Sequence, residues 1–309
     1  MAVIATGFFD GVHPGHRLVI DTLLSEARSR GEESVAVTFW PHPRAVLQSG
    51  ADDLRYLTSR EEKTAMLHSM GVERVETVGF TREFAALSAR DYLEMLRRDF
   101  GCTEVVLGYD TRFGSEQAGP EEIAAMAPSL GLEAIIAPPV CIDGAPVSST
   151  RIRAALELGD AALAARLLGR PYRLHGVVVS GNRIGRTIGF PTANMKLYEP
   201  LMMVPGNGVY HTSVFVDEAV SSVISTGEKR SGEIPRHPFT GLTNIGIRPT
   251  VGGSGLTIET HILDFDEMIY GLDITVDFIG RIRDERRFGS LSELQTQLRA
   301  DRAGLENKK

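Results

Sequence analysis

The sequence has 309 residues, which is enough for two globular domains, since a single domain usually has about 150 residues. Its 42% hydrophobic and 24% charged residues exclude a disordered or fibrous protein, and the net charge of -7 argues against bulk binding to nucleic acid or to anionic membranes. No apolar run approaches the roughly 18–20 residues that span a bilayer, and the N-terminus lacks the basic start and long apolar stretch of a signal peptide.

The cysteine content indicates a reducing compartment. The chain has two cysteines, Cys102 and Cys141, which are too few for a disulfide framework. Both lie beside apolar, strand-like runs, so we predict two buried free thiols and a cytoplasmic protein.

The first half of the chain alternates strand-like runs with helical patterns. Predicted strands cover residues 3–8, 35–39, 74–80, 104–108 and 133–137, and predicted helices cover residues 15–30, 59–70, 88–100 and 120–130. This alternation predicts an α/β fold with a doubly wound parallel sheet, which binds ligands at the carboxyl ends of its strands. A further helix is predicted from Ser149 to about Leu168, because a Gly-Arg-Pro sequence then breaks the pattern.

After residue 170 the pattern changes to strands without intervening helices. Predicted strands cover residues 175–180, 208–216, 242–246, 256–265 and 272–282, and one closing helix covers residues 290–302. This succession predicts an antiparallel β-barrel or sheet with a terminal helix. We therefore predict two domains, residues 1–169 and 170–309. The polar segment 217–240, rich in Ser, Gly and Pro, is predicted to be a long mobile loop or flap.

The stretch from Thr6 to His16 places a glycine-bearing turn between the first strand and the first helix. A helix N-terminus exposes unpaired N–H groups and the positive end of a dipole, so it can bind an anion. His13 and His16 can donate hydrogen bonds to phosphate oxygens and stabilise the charge of a phosphate-transfer transition state. The motif alone is equally compatible with a glycine turn that carries incidental histidines. A metal site has less support, because no further Cys or His cluster supplies ligands.

Three further segments follow predicted strands and fall on the same sheet edge. They are FWPHP at residues 39–43, YDTRFG at 109–114 and SSTRIR at 148–153. The hydroxyls of the third segment are ordinary helix N-caps, and together with its second arginine they can also clamp a triphosphate. Four candidate segments at one edge make coincidence a poor explanation.

These motifs resemble those of the nucleotidylyltransferase superfamily, which is marked by an H-x-G-H turn and a late S-S-T-x-x-R helix start. They are more similar to the FMN adenylyltransferase module of bifunctional bacterial riboflavin kinase/FAD synthetases. That family's G-x-F-D-G-V-H-x-G-H, F-x-P-H-P and S-S-T-R-I-R patterns are matched at residues 7–16, 39–43 and 148–153. The resemblance implies a Rossmann-like nucleotide-binding domain.

A second glycine-rich motif lies in the other half of the chain. Gly181, Gly185 and Gly189 are spaced by four residues, in neither the Walker A nor the G-x-G-x-x-G pattern. Glycines allow the close backbone approach that a phosphate-cradling loop needs, although a hairpin connection is the alternative. Thr192 and Asn194, just beyond, offer oxygen ligands suited to Mg²⁺.

Glu259 lies within an apolar predicted strand, where an acidic side chain either faces solvent or has a catalytic task. The pattern alone favours the solvent-facing interpretation. The whole half is nevertheless similar to the riboflavin kinase module. That family's G-R-T-I-G-F-P-T-A-N, G-V-Y, N-I-G-x-R-P-T and E-T-H-x-x-D-F marks stand, in family order, at residues 185–194, 208–210, 244–250 and 259–265.

The resemblance implies two ATP-dependent reactions: phosphorylation of riboflavin to FMN, and adenylylation of FMN to FAD with release of pyrophosphate. Glu259 would be the general base of the kinase, with Mg²⁺–ATP held by Thr192 and Asn194, and His13 and His16 would be catalytic in the adenylyltransferase. The implied ATP-binding residues are Gly7, Phe8, Asp10, Gly15, His16, Ser148, Ser149, Thr150, Arg153, Gly181, Gly185, Gly189, Thr192 and Asn194. The implied flavin-binding residues are His42, Tyr109, Asp110, Arg112, Phe113 and Arg286. The expected partners are small molecules only, with no nucleic acid or membrane, and the protein is expected to be a monomer or weak homo-oligomer.

The chain also departs from the family pattern. Phe8 stands where Asn is usual, and residues 115–120 lack the basic run that often follows the R-F-G sequence. One alternative is therefore an enzyme in which only the kinase half is active, and another is a non-catalytic regulator that binds flavin or nucleotide. A nucleic-acid-binding module has the least support, because the arginines at positions 281–287 alternate with acidic residues.

Overall fold

The computed structural model describes residues 1–47, 54–181, 185, 188–217, 238–250 and 253–306. The chain forms two units. The first comprises Met1–Arg151 and Leu167–Gly169, and the second comprises Ile152–Arg166 and Arg170–Lys309. Most of the predicted flap, residues 218–237, lies outside the described residues, as do residues 182–184 and 186–187 of the glycine motif.

A parallel sheet with helices on both faces forms the first unit, as the alternating pattern predicts. Its strands are β1 (Ala2–Thr6), β2 (Glu33–Trp40), β3 (Arg74–Gly79), β4 (Cys102–Gly108) and β5 (Glu133–Ala137). Its helices are α1 (Pro14–Arg30), α2 (Pro43–Leu47), α3 (Arg60–Ser69), α4 (Arg82–Ala85), α5 (Ala89–Phe100) and α6 (Pro120–Met126). The strand order is β3-β2-β1-β4-β5, and every neighbouring pair is parallel. The order reverses between β1 and β4, which is where doubly wound sheets bind ligands.

The two faces of β1 belong to different parts of the core. Val3 and Ala5 pack in one cluster with Leu23 of α1, whereas Ile4 packs in another with Leu93 of α5. This alternation is the period of two that an extended strand imposes on its side chains. The helices therefore cover both faces, and the carboxyl edge of the sheet is left for the turns that follow β1 and β4.

Local signals set the ends of the helices. His13 caps α1, with Pro14 at the first helical position, and Gly31 ends the helix in the left-handed region with φ 65°. Ser88 and Asp91 form a capping box at the start of α5. The helix predicted over residues 120–130 is α6 followed by a 3₁₀ turn, Ala127–Leu130.

The single helix predicted from Ser149 to Leu168 is wrong. Two helices, α7 (Ser149–Glu157) and α8 (Ala161–Leu168), occupy this stretch. Gly159 between them adopts φ 76°, and the carboxylate of Asp160 accepts a hydrogen bond of 2.9 Å from the Leu163 N–H at the start of α8. A glycine stop followed by an aspartate cap therefore outweighs the apolar run.

The second unit contains the antiparallel barrel that the sequence predicts. Its strands are β8 (Tyr172–Val179), β9 (Ala193–Leu197), β10 (Gly208–Asp217), β11 (Phe239–Thr250), β12 (Gly253–Ile262) and β13 (Asp273–Arg283), and the last helix is α9 (Leu291–Glu306). Among the described residues the barrel closes in the order β10-β11-β12-β9-β8-β13. The short strand β9, which follows the glycine motif, is not among the predicted elements. The same is true of α2, α4 and a small hairpin in the first unit, β6 (Cys141–Ile142) with β7 (Ala145–Pro146).

The environments of the two cysteines differ from each other. Cys102 is buried, and burial raises the pKa of its thiol to about 12. Cys141 is exposed, so the prediction of a buried thiol is wrong at that position. Cys141 belongs to a two-residue hairpin strand outside the parallel sheet, whereas Cys102 belongs to a core cluster of that sheet.

Candidate active sites

A cavity of about 260 Å³ opens at the carboxyl edge of the sheet in the first unit. It lies beside the ends of β1 and β4, where the strand order reverses. The residues from the predicted motifs that line it are Gly7, Phe8, His13, Gly15, His16, Tyr109, Asp110, Arg112 and Phe113. The structure therefore brings the turn after β1 and the segment after β4 together, as the topology predicts.

Two stacked imidazoles stand at the start of α1 inside this cavity. The ring centroids of His13 and His16 are 3.7 Å apart, with the planes inclined by 16°. Nδ1 of His13 accepts a hydrogen bond of 3.4 Å from the backbone N–H of His16. The neutral His13 ring therefore carries its proton on Nε2, which is a hydrogen-bond donor.

His16 is held in its neutral form. Burial lowers its pKa well below the ordinary value of 6.5, and the nearby His13 and the positive charge of Lys63 lower it further. Its Nδ1 is buried and has no hydrogen-bond partner among the residues that the structure describes. A buried polar atom beside a cavity, at the positive end of a helix, is a position that a bound anion or its hydrogen-bonding oxygens would satisfy.

Asp10 does not line the cavity, in contrast to its implied role as an ATP ligand. Its buried carboxylate accepts hydrogen bonds from the backbone N–H groups of Leu57 at 2.9 Å and Thr58 at 3.1 Å. The N–H of Gly11 donates to the hydroxyl of Thr58 at 3.1 Å. Asp10 therefore ties the turn to the segment that precedes α3.

The serines at the start of α7 are also engaged in the fold. The Ser148 hydroxyl accepts a hydrogen bond from the Arg151 N–H at 3.3 Å, and the Ser149 hydroxyl donates to the Asp10 carbonyl at 2.9 Å. Thr150 is exposed, and Arg153 lies further along the helix. Neither these four motif residues nor His42 lines the described cavity, and their roles as ligands stay predictions.

Residues 115–120, which lack the basic run, form a tight turn that contacts the start of α5. Phe113 and Ala118 pair across a tight turn, and Gly114 in that turn has φ 82°. The Glu116 carboxylate accepts a hydrogen bond of 2.9 Å from the Ala89 N–H at the start of α5. An acidic side chain is favourable at a helix N-terminus, so Glu116 here stabilises α5.

Lys63 is a buried charged residue near this cavity, and it lies outside the sequence motifs. Its side chain on α3 is 1% exposed and donates hydrogen bonds of 2.9 Å to the Phe8 carbonyl and to the Thr38 hydroxyl. The sequence does contain a sign that Lys63 is buried, because it lies on the same helical face as the apolar residues Leu67 and Met70. A lysine on such a stripe needs a buried partner.

Two adjoining cavities in the barrel share a wall formed by Thr192 and Asn194. One cavity is lined by Gly181, Pro191, Thr260, Phe265, Asp266, Tyr270 and their neighbours. The other, of about 270 Å³, is lined by residues that include Gly185, Asn244, Glu259, His261, Arg283, Glu285, Arg286 and Phe288. The structure thus groups the predicted residues of the second half around one wall, with the exception of Gly189, which lines neither cavity.

Glu259 stands in a row of polar side chains across three strands. In the barrel register it pairs with Asn194 of β9 on one side and with Asn244 of β11 on the other. All three line the same cavity. The solvent-facing interpretation favoured by the strand pattern is therefore not what the structure shows, because the side chain of Glu259 is half-buried at a cavity wall.

Cationic and aromatic groups complete this cavity. The guanidinium of Arg283 forms a buried ion pair of 2.9 Å with Asp301 of α9. The guanidinium of Arg286 lies 4.6 Å from the centre of the Phe288 ring. Glu285 approaches the backbone of Gly246 so closely that a Cβ there would overlap its carboxylate. Arg283 and Glu285 are site residues that the sequence motifs leave unassigned, because a charged run usually indicates a solvated surface.

Backbone close approach explains the glycines of the second motif. A Cβ at Gly181 would overlap the side chain of Asn194, and one at Gly185 would overlap the carbonyl oxygen of Phe190. His261 holds the adjoining segment, since its Nδ1 lies 2.8 Å from the Pro191 carbonyl oxygen. Burial lowers the pKa of His261, so the ring is neutral near pH 7 and its Nδ1–H donates to that carbonyl.

The shared wall offers the chemistry that Mg²⁺ prefers. The hydroxyl of Thr192 and the side-chain oxygen of Asn194 are hard neutral donors, and the Glu259 carboxylate stands in the paired position across the strands. Within the described ranges no group of three or more His, Cys, Asp and Glu side chains could hold a metal ion by itself. Magnesium usually keeps waters and substrate phosphate oxygens among its ligands, so the residues fit an ion that arrives with a triphosphate.

Comparisons with known proteins agree with this division of sites. Residues 1–151 match the family model of FAD synthetase, and residues 168–308 match that of riboflavin kinase. The bifunctional riboflavin kinase/FMN adenylyltransferase of Escherichia coli (strain K12) is 36% identical over 301 residues, covering 97% of this chain and 90% of that protein. The protein of the same name from Bacillus subtilis (strain 168) is 33% identical over 309 residues, with coverages of 97% and 90%.

A solved structure with the same fold bears an unrelated name. The crystal structure described as a macrolide-efflux protein from Streptococcus pneumoniae has a TM-score of 0.86 and 32% identity, covering 98% of this chain and 92% of that chain. In the part of this chain that the structure describes, no helix has the length and apolarity to cross a membrane. On the strength of the family models and the curated relatives, the chain belongs to the bifunctional riboflavin kinase/FMN adenylyltransferase family.

Proposed function

We infer that this protein converts riboflavin to FMN and FMN to FAD, using ATP in both steps. The observation that carries the inference is that each unit has its own cavity built from its own family's motif. One cavity contains the stacked pair His13 and His16, and the other contains Glu259 between two asparagines. The resemblance to bifunctional relatives extends over 97% of the chain, so both activities have support along its length.

In the kinase reaction, riboflavin occupies the cavity of Glu259, and the triphosphate of ATP lies against the wall that this cavity shares with the adjoining one. Glu259 accepts the proton of the ribityl 5′-hydroxyl as its oxygen bonds to the γ-phosphorus, and the bond from that phosphorus to the β,γ-bridging oxygen breaks to release ADP. Thr192 and Asn194, in the wall between the cavities, orient the phosphates. Magnesium bound with ATP neutralises phosphate charge there.

In the adenylyltransferase reaction, the FMN phosphate is the nucleophile. One of its oxygens bonds to the α-phosphorus of ATP, and pyrophosphate leaves. This nucleophile is already charged, so no general base is needed. His13 and the neutral His16 each donate a ring N–H to phosphate oxygens at the start of α1, where the helix dipole also favours negative charge.

In this unit, the segment after β4 contacts the flavin. Tyr109 and Phe113 line the cavity and supply aromatic surface for a planar ring, and Arg112 supplies a cation for the FMN phosphate. The assignment of Ser148, Thr150 and Arg153 to the β and γ phosphates stays a prediction of the resemblance. The same holds for a cytoplasmic location and a monomeric or weakly associating state.

The test is a product assay. Purified protein incubated with riboflavin, ATP and Mg²⁺ is expected to produce FMN and then FAD, resolved by chromatography. With FMN in place of riboflavin it is expected to produce FAD and pyrophosphate. If FMN forms but FAD never does, only the kinase half is active, and if neither forms the proposal is wrong.

A further inference from the structure

Lys63 connects α3 to the turn that carries the catalytic histidines. Its Nζ donates to the Phe8 carbonyl and to the Thr38 hydroxyl, and that hydroxyl in turn donates to the same carbonyl at 3.2 Å. The ammonium also lies 4.1 Å from the centre of the Phe8 ring. Since Lys63 is 1% exposed, a substrate in the cavity does not reach it.

The turn between β1 and α1 needs such support because its backbone is unfavourable. Phe9 and Val12 adopt φ 54° and 41°, and Gly11 adopts φ 82°. Positive φ is costly for non-glycine residues, and most so for a β-branched one, so neighbouring groups must hold the conformation. Asp10 supplies one attachment, through the backbone of the segment before α3, and Lys63 supplies another at Phe8.

We propose that Lys63 is a positioning residue for adenylyl transfer: by fixing the Phe8 carbonyl, it holds the turn that presents His13 and His16 to the phosphates. The proposal rests on the proposed adenylyltransferase function of the first unit. It also gives a reason for Phe8, which stands where the family usually has Asn. An aromatic face stabilises a desolvated ammonium that lies over it.

The charge of Lys63 is part of this arrangement. Burial lowers its pKa from the ordinary 10.5 to about 8, and the nearby carboxylate of Asp10 opposes that shift. The positive charge of Lys63 also lowers the pKa of His16, which helps to keep the imidazole neutral. His42 and Tyr56 contact the Phe8 ring, and Glu61 and Glu62 are the acidic neighbours on α3. The ordinary pKa values of carboxyl, imidazole and phenol groups are about 4, 6.5 and 10, so these neighbours differ from Lys63 in the pH at which they change charge.

The first test replaces the ammonium by an apolar side chain of similar length. Lys63→Met is expected to lower kcat for FAD formation from FMN and ATP about a hundredfold, as misplacement of catalytic groups does. FMN formation from riboflavin by the same molecules is expected to stay unchanged, which shows that the barrel is folded, and an unchanged circular dichroism spectrum shows that the first unit is folded as well. The matched control is Arg60→Met, which removes an exposed cation, 51% accessible, from the same helix.

Lys63→Met with kcat within twofold of the wild type would overturn the proposal. If the wild-type protein itself forms no FAD, the adenylyltransferase function fails first, and that result needs no variant. The two failures are therefore distinct.

The second test uses the wild-type protein alone, so it does not depend on folding of a variant. The kcat for FAD formation is expected to fall to a lower plateau above about pH 8, as Lys63 loses its charge and its hydrogen bond to Phe8 weakens. Loss of the Lys63 proton does not itself lower stability in this range, and the melting temperature measured at each pH checks that the protein stays folded. The folded pKa is below the unfolded one, so the unfolded chain binds more protons between these values and this group makes stability rise with pH there. A kcat that stays flat from pH 7 to about 9.5 contradicts the proposal.

Discussion

The cavities of the two units have similar volumes, about 260 and 270 Å³, but the side chains that line them differ in their chemistry. The parallel sheet presents a helix N-terminus and two stacked imidazoles, whereas the barrel presents the carboxylate of Glu259 between two amides. The charge of the nucleophile explains the difference. A ribityl hydroxyl must lose a proton and needs a base, but an FMN phosphate is already anionic and needs donors that do not repel it.

The largest effect is expected from removing an imidazole. His16→Ala should lower FAD formation from supplied FMN about a thousandfold, because a hydrogen-bond donor at the developing phosphate charge is lost. FMN formation from riboflavin should stay at the wild-type rate. Both products are measured by chromatography, and His68→Ala, which changes an exposed histidine of the same unit, is the control.

A substitution in the barrel should remove the kinase activity and leave the adenylyltransferase activity. Glu259→Gln keeps the size of the side chain but cannot accept the hydroxyl proton, so phosphorylation of riboflavin should fall about a hundredfold or more. FAD formation from supplied FMN should persist. Equal loss of both activities in either variant would show that the sites are not separate.

A smaller effect should follow from weakening the anchor of the phosphate-binding turn. Asp10→Asn places an amide nitrogen or oxygen opposite two backbone donors, and we expect the first unit to lose about 1.5–3 kcal/mol of stability. Thermal unfolding followed together with the kinase activity measures this, since the barrel should retain FMN formation. The exposed Asp21→Asn on α1 is the control, and a loss of stability equal in both variants would contradict the role given to Asp10.

The smallest effect is expected from pH. The pKa of His16 is well below 6.5 in the folded protein, so below that pH the unfolded chain takes up a proton that the folded protein refuses, and stability falls as the pH falls. His261 in the barrel has the same sign of shift. The melting temperature should therefore drop between pH 7.5 and 5.5, and His16→Gln should reduce this drop. An identical drop in the variant would show that His16 does not contribute.

How much the sequence could predict differs between the two units for a physical reason. In the first, the carboxyl edge of a parallel sheet brings successive turns together, so His16 and Tyr109 could be placed near each other from strand order alone. Strand order does not show the environment of single side chains. Asp10 and Lys63 are buried, and their hydrogen-bond partners depend on the packing of α3 and of the segment before it.

The barrel site was harder to predict, because the row from Asn194 to Asn244 depends on strand register. Register is set by the pairing of strands that are distant in sequence, and the alternation of apolar and polar residues in β9 covers only five residues. Family motifs identified Glu259, but only the register shows why an acidic side chain lies within that strand. Gly159 shows the opposite case, in which a local signal was available. The Gly-Asp sequence ends one helix and begins the next, although the apolar pattern predicts a single helix.

The independence of the two sites can be measured by mixing two variants, each of which has lost one of the two activities. His16→Ala supplied with riboflavin and ATP should accumulate FMN, and Glu259→Gln should produce little of either flavin nucleotide. An equimolar mixture of the two should form FAD from riboflavin, because FMN released by one protein is adenylylated by the other. A mixture that forms no more FAD than either variant alone would contradict two independent sites on one chain.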